Sequence, residues 1–240
     1  MRNSAALLLV SLIATALPLA SLAAPAKKAA ASTPAAHKPP PPPDYFPLRY
    51  KYWWKYHFKT SAGKEDNFEL TDIHDDRHED KTIWHEVQTK FSTLPPINDW
   101  YTKEKGMVVY QKTEYTSNGM KADFVPPRQY IKDPLFDGDG WHWAGKGMMG
   151  VYIDESSETT GPEEITVPAG KFKCMKVITK ITQAGAPCTK TYWYGGNVGL
   201  VKSKTETKDF VSDAELTEYK FPKLEPGEYE AELNKNAQAQ

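Results

Sequence analysis

From Tyr50 to Phe58 the chain alternates without interruption. Tyr50, Tyr52, Trp54, Tyr56 and Phe58 fall on one side, and Lys51, Trp53, Lys55 and His57 on the other. A period of two predicts a strand that turns an aromatic face inward and a mixed face to water. Residues 61–66 read as a turn, 67–73 as a shorter strand, and 74–81 as a hydrophilic loop. Residues 82–91 and 101–115 are extended in pattern, and Pro126-Pro127 reads as a break before a second set of strands. Further on, 171–181 and 188–194 are expected to pair about a turn at 184–186, and 215–221 to add a closing strand. No window carries a 3.6-residue apolar period. The expected class is all-β and antiparallel.

Composite patterns recur along the chain. Pro47-Leu48 followed by Trp54-x-Tyr56 returns as Pro134-Leu135 followed by Trp141-x-Trp143, 87 residues later. Trp100-Tyr101 with Gly106-Met107-Val108 returns as Trp193-Tyr194 with Gly199-Leu200-Val201, 93 residues later, and Lys112-Thr113-Glu114 as Lys204-Thr205-Glu206. Same order and nearly the same spacing point to two similar modules, about 45–115 and 132–207. The period is too long for a solenoid repeat. Neither half can bury its aromatic face alone, so the two are expected to meet about a pseudo-two-fold axis. The outcome would be a half-open barrel or a sandwich, with Trp54 and Trp141 in equivalent places.

Composition narrows the class. The 240 residues carry 30 basic and 31 acidic side chains, a formal charge of −1, which argues against a nucleic-acid binder. At 40 % hydrophobic and 12 % aromatic there is enough apolar surface for a core.

The ends read differently. Residues 1–23 have the three parts of a secretory signal peptide: Arg2, an apolar run from Ala5 to Leu17, and Ser21-Leu22-Ala23 at a cleavage site. The run is shorter than the roughly 20 residues a membrane span requires. No Cys lies near the cleavage site, so a lipid-anchored N-terminus is not expected, and no other stretch is expected to span a bilayer. Residues 24–43 are a Pro/Ala/Lys-rich linker, 44–222 the single β domain, and 223–240 a flexible tail. The expected location is periplasmic or secreted.

Cys174 and Cys188 are the only thiols. In a hairpin turning at 184–186, Cys188 lies opposite residues near 182, and Cys174 is about 26 Å further along at the usual strand rise. A disulfide requires Cα atoms within about 7 Å. Two separate thiols are expected.

Phe46-Pro-Leu48 with Trp54-x-Tyr56, Pro134-Leu135 with Gly138 and Trp141-x-Trp143, Glu164 to Phe172 with its V-P-A-G-x-F core, and Trp193-Tyr194 with Val198-Gly-Leu-Val-Lys202 together resemble four ordered blocks of one family. It is the group of uncharacterised bacterial cell-envelope proteins sometimes labelled TapB-like, and the resemblance spans about 45–222. It implies a β-rich envelope protein and carries no catalytic residues across. Tyr50 to Trp53 depart from the small and Gly residues usual in the first block.

Candidate chemistry is sparse. His74 and His78, with His85 in the next strand, are a possible metal set among carboxylates. Trp53, Trp84, Trp100, Tyr101, Trp193 and Tyr194 exceed what one inner face needs and are a possible ligand surface for sugar rings or an apolar molecule. No nucleophile motif stands out. No catalytic residue and no cofactor is expected. The expected function is an exported, non-catalytic β-protein that binds an envelope glycan, lipid or protein. The alternatives are a metal-binding protein or metal-dependent hydrolase centred on the His74/His78 loop, and a structural or assembly factor with no small ligand.

Overall fold

The computed structural model describes residues 40–225 and 227–235. The expected signal peptide, residues 24–39 of the linker and the last five residues of the tail lie outside them. Twelve strands follow in chain order among the described residues: β1 (Trp53–Thr60), β2 (Glu65–Arg77), β3 (Ile83–Phe91), β4 (Ile97–Glu104), β5 (Met107–Tyr115), β6 (Met120–Lys132), β7 (Gly140–Lys146), β8 (Tyr152–Val167), β9 (Gly170–Gln183), β10 (Ala186–Gly195), β11 (Gly199–Glu206) and β12 (Val211–Lys220). Each pairs antiparallel with its sequence neighbour, and β1 pairs with β12, so the sheet closes into a barrel. Closure removes the exposed edges that an open sheet would present. The antiparallel all-β class is therefore present as a ring.

Alternation decides what fills the ring. Trp54 and Tyr56 point inward and form a buried cluster with Cys174, Val201 and Leu216. Val87, Tyr101, Val108, Ile131 and Tyr194 form a second, and Phe124, Trp143, Ile153 and Ile181 a third. Outward positions carry charge pairs such as Lys55–Glu69 (3.5 Å) and Lys202–Glu215 (2.7 Å). Membrane-spanning barrels place an apolar band on that side instead. Among the described residues no helix is long and apolar enough to cross a membrane.

Because the strands alternate in direction, the residues before β1 and after β12 lie at the same end of the barrel. There the segment 44–50 forms a strap. Asp44 accepts two bonds of 2.8 Å from Lys103, which also reaches Asp133 at 2.7 Å, and the Tyr45 N–H donates to Asp133. Phe46 drops onto the rings of Tyr101 and Tyr130, at 5.4 and 5.6 Å. The strap also passes close over Gly199, whose φ is +92° and where an added Cβ would lie 3.3 Å from Pro47 Cδ and 3.6 Å from Trp54 Nε1.

Several expectations change. The hydrophilic run at 74–81 is not all loop, since β2 continues to Arg77. Residues 101–115 are not one strand, because a turn at Lys105-Gly106 separates β4 from β5. Pro126 and Pro127 lie inside β6 instead of breaking the chain. They fit because the ladder between β6 and β7 is thin there, paired at Val125–Lys146, so the missing N–H groups leave little unpaired. Within the expected tail, Glu228–Leu233 is a helix, α1, packed on β2 with Leu233 buried. Both cysteines are free, with Cys188 opposite Ile181 and Cys174 opposite Gly195.

The repeated patterns fall six strands apart. Trp54-x-Tyr56 is on β1 and Trp141-x-Trp143 on β7; Trp100-Tyr101 is on β4 and Trp193-Tyr194 on β10; the Lys-Thr-Glu runs are on β5 and β11. Trp54 is buried and donates to the Val198 carbonyl at 2.7 Å, whereas Trp141 is half-buried and its Nε1 has no acceptor.

Candidate functional site

The end of the barrel away from the strap is open. Past its two prolines, β6 turns Arg128 into the interior. The Arg128 Nε and Nη2 groups donate to the two carboxylate oxygens of Glu155 on β8, each at 2.7 Å. Trp143 Nε1 donates to the Pro126 and Pro127 carbonyls at 3.2 and 3.1 Å, which ties β7 to β6 beside the guanidinium. The Arg128 Cζ lies 5.4 Å from the Tyr130 ring centre, 5.8 Å from Phe124 and 6.0 Å from Tyr110. Burial alone lowers the pKa of such a cation, but the contacts with Glu155 reverse this and hold it above the usual arginine value.

Arg128 is part of the wall of a cavity of about 360 Å³. Ile97, Met148, Ile153 and Gln183 lie where β4, β7, β8 and β9 meet the loops, so they form the rim. Deeper are Asp99, Tyr110, Tyr130, Lys190 and Tyr192. Tyr110 donates its hydroxyl to Asp99, yet burial outweighs the bonds from Thr113 and Tyr110 and raises the Asp99 carboxyl above the ordinary range. Burial also pushes the Tyr192 phenol up to about 12. The cavity has a lip that is apolar apart from Gln183, and a polar floor. The Asp99 carboxylate on that floor is already engaged with Tyr110, and Arg128 with Glu155. What remains is rich in donors: phenols, the Lys190 ammonium and the unused N–H groups of Arg128. Such a wall suits a molecule with an apolar portion and an acceptor-rich head. A separate apolar space of about 80 Å³ lies under the strap, between Phe46, Leu48, Trp54, Tyr56 and Tyr101.

A second polar cluster sits near the strap end. Asp75 Oδ1 lies 2.6 Å from His85 Nδ1, and Asp72 Oδ2 lies 3.3 Å from the same nitrogen. Both aspartates are 0 % exposed and His85 is 6 %. The Tyr50 N–H donates to Asp75 Oδ2 at 2.9 Å, and Tyr229 on α1 interacts with Asp75 from above, its own ring covered by Arg49 at 4.4 Å. Burial alone would lower the His85 pKa. The contacts with Asp72 and Asp75 outweigh it and raise the imidazole to about 9. Burial drives the Asp72 carboxyl well above the usual range, while the imidazole bonds keep Asp75 below it.

The sequence candidates scatter. His74 lies on β2 with Nδ1 2.7 Å from Glu232, and His78 stacks on Trp84 at 4.9 Å. Of the three histidines only His85 joins a ligand-like group, and its partners are aspartates that read as ordinary strand and loop residues. Tyr101 and Tyr194 are buried inside the barrel and belong to no outer surface. Trp53, Trp84, Trp100 and Trp193 lie half-buried on outward positions. Trp100 packs under the Lys112 ammonium at 4.4 Å, and Trp193 donates to Glu163. Arg128, Asp99 and Glu155 escaped notice. Asp99 and Arg128 are charges close to aromatics in a strand, and Glu155, between Asp154 and Ser156, carries no such signal.

The chain matches the family model described as DUF3108-like over residues 142–214, from within β7 to within β12. That supports an uncharacterised family, over a shorter span than the expected 45–222 and without the TapB-like label. No curated protein matches the chain. Among solved structures it resembles a Bacteroides fragilis protein, described as exported by inference and as having a YmcC-like fold. It also resembles an inferred lipoprotein of Parabacteroides distasonis. In both cases the TM-score is 0.51 and the identity 16 %, over 75 % of this chain and all of the other. At that identity the likeness is one of fold.

Proposed function

We propose that this protein is an exported, non-catalytic barrel that takes an amphipathic molecule of the cell envelope into its open end. The supporting observation is the cavity of about 360 Å³ with a mostly apolar rim and, in its wall, Arg128 held in place by Glu155. Its size lies within the range of small-ligand sites, which runs from roughly 300 to 1,000 Å³. A buried ion pair is costly to place in a barrel that could be filled with leucine. Orienting a polar head group gives it a use. Export rests on the signal-like residues 1–23, and the Pro-rich stretch 24–43 would give the barrel reach from an attachment point. The six-strand spacing of the repeated blocks supports an origin by duplication of a half-barrel.

Native mass spectrometry of protein recovered from the periplasm of the producing cells tests the reading. The expected result is a bound species of lipid or glycolipid mass that Gln183→Trp, which narrows the mouth, expels. Protein that carries no such species, and whose tryptophan fluorescence is unmoved by envelope lipid and glycan fractions, would reject it.

A further inference from the structure

We propose that Asp72, Asp75 and His85 form a binding site for one divalent transition-metal ion near the strapped end of the barrel, independent of the open cavity. One donor atom from each residue lies within 4.8 Å of the others, and all three residues are buried.

The backbone is arranged for this convergence. In a regular strand, residues three apart point to opposite faces. The β2–β3 register shifts between Asp72 and His74, so Asp72 faces Val87 and Asp75 faces His85. The bulge turns both carboxylates inward, onto one imidazole. Bulges re-aim side chains in this way where a site needs them.

Asp72 is the independent sign of a missing partner. It is fully buried, and no well-aligned hydrogen bond reaches either of its carboxylate oxygens; its polar neighbour is His85 Nδ1 at 3.3 Å. The neighbouring Nδ1 of His85 is engaged with Asp75, which is closer by 0.7 Å (3.3 against 2.6 Å). A buried carboxylate without a donor is strongly disfavoured, so this group needs either its own proton or a cation. Two protons, one on Asp72 and one on His85, leave the cluster neutral. One divalent ion that displaces both leaves it neutral as well, with no redox change.

Two carboxylate oxygens and an imidazole nitrogen suit Zn²⁺, Mn²⁺ or Fe²⁺. Ca²⁺ would need six to eight oxygens. The surroundings also fit a metal site. The Tyr50 N–H holds Asp75 Oδ2, which keeps Oδ1 turned inward against His85, and Tyr229 closes over the group.

Elemental analysis decides the matter. Protein without a histidine tag is prepared in a Cys188→Ser background, so that the half-buried thiol adds no ligand. Cells are supplied with Zn²⁺ or Mn²⁺, and the protein is dialysed against metal-free buffer. One equivalent of metal per chain is expected, lost in the isosteric Asp72→Asn, with a melting temperature that chelation lowers in the parent alone. Metal-free parent protein from both cultures, with a melting point indifferent to either ion, would show that two protons suffice and would overturn the proposal. Should Asp72→Asn not fold, Co²⁺ loading of the parent gives the same decision. Visible d–d bands at one equivalent, without a thiolate charge-transfer band, support the site. No uptake, or a thiolate band, removes it. Neither result bears on the open cavity.

Discussion

Arg128 and Glu155 meet through two parallel bonds of 2.7 Å inside the barrel, where their side chains are 14 % and 3 % exposed. Two fixed bonds on a planar guanidinium set its orientation as well as its charge. Removing one partner strands the other among Phe124, Tyr130 and Trp143. Glu155→Gln is therefore expected to lower the unfolding free energy by about 3–5 kcal/mol. Arg128→Met with Glu155→Leu is expected to recover most of that loss, because neither charge is then left alone. Urea titration of the two variants and the parent measures the cycle. A double variant no better than the single one would show that the pair itself stabilises the barrel.

Asp99 provides a test by pH. Burial raises its folded-state pKa above the unfolded value, so the folded protein holds this proton more tightly than the unfolded chain does. Its favourable contribution is complete below the unfolded value and is lost as pH rises through the folded one. Asp99→Asn keeps an acceptor for the Tyr110 hydroxyl and removes the titration. The variant is expected to match the parent near about pH 4 and to exceed it at neutral pH. Denaturant midpoints at the two pH values check this, and a variant weaker than the parent at neutral pH would contradict it.

The two thiols should differ sharply. Cys174 is 0 % exposed, and burial together with the charge of Glu163 pushes its thiol up to about 12. Cys188 is half-buried near the start of β10. Thiolate is the reactive form, so native protein is expected to take one iodoacetamide label, at Cys188, and a second only on unfolding. Mass spectrometry of the labelled peptides reads the outcome. Equal labelling of both under native conditions would place Cys174 outside the core.

The strands were legible wherever aromatic and polar residues alternate. The run from Tyr50 to Phe58 yields β1 from Trp53 onward, its first residues Tyr50 and Lys51 forming a turn instead, and the hairpin about 184–186 yields β9 and β10 with Cys188 opposite Ile181. The polar sites were not legible, and for one physical reason. Alternation detects apolar residues that face inward, while both clusters consist of charged residues that do. His74 to Arg77 read as loop because a strand with Asp72 and Asp75 turned inward has no apolar face to reveal it. Arg128 was hidden behind two prolines that ordinarily end a strand and here sit against a thin ladder. The bulge at Asp72–His74 depends on pairing with β3, which no local pattern contains.

The C-terminal helix offers the last prediction. Six residues cannot hold a helix alone in water, so α1 exists because it docks. Besides the contacts of Glu232 with His74 and of Tyr229 with Asp75, two kinds of contact hold it. Leu233 is 1 % exposed at the barrel surface, and at the rim Arg77 donates to Glu230 at 3.0 and 3.2 Å while Lys51 reaches Glu228. Exposed ion pairs contribute about 0–1 kcal/mol. Truncating a buried leucine costs about 2–5 kcal/mol. Leu233→Ala is therefore expected to release α1, with fast hydrogen exchange at Ala231 and new protease cleavage between β12 and the helix, while Arg77→Ala leaves both nearly unchanged. Release of the helix by Arg77→Ala to the same degree would mean that charge, and not the leucine, keeps Tyr229 over Asp75.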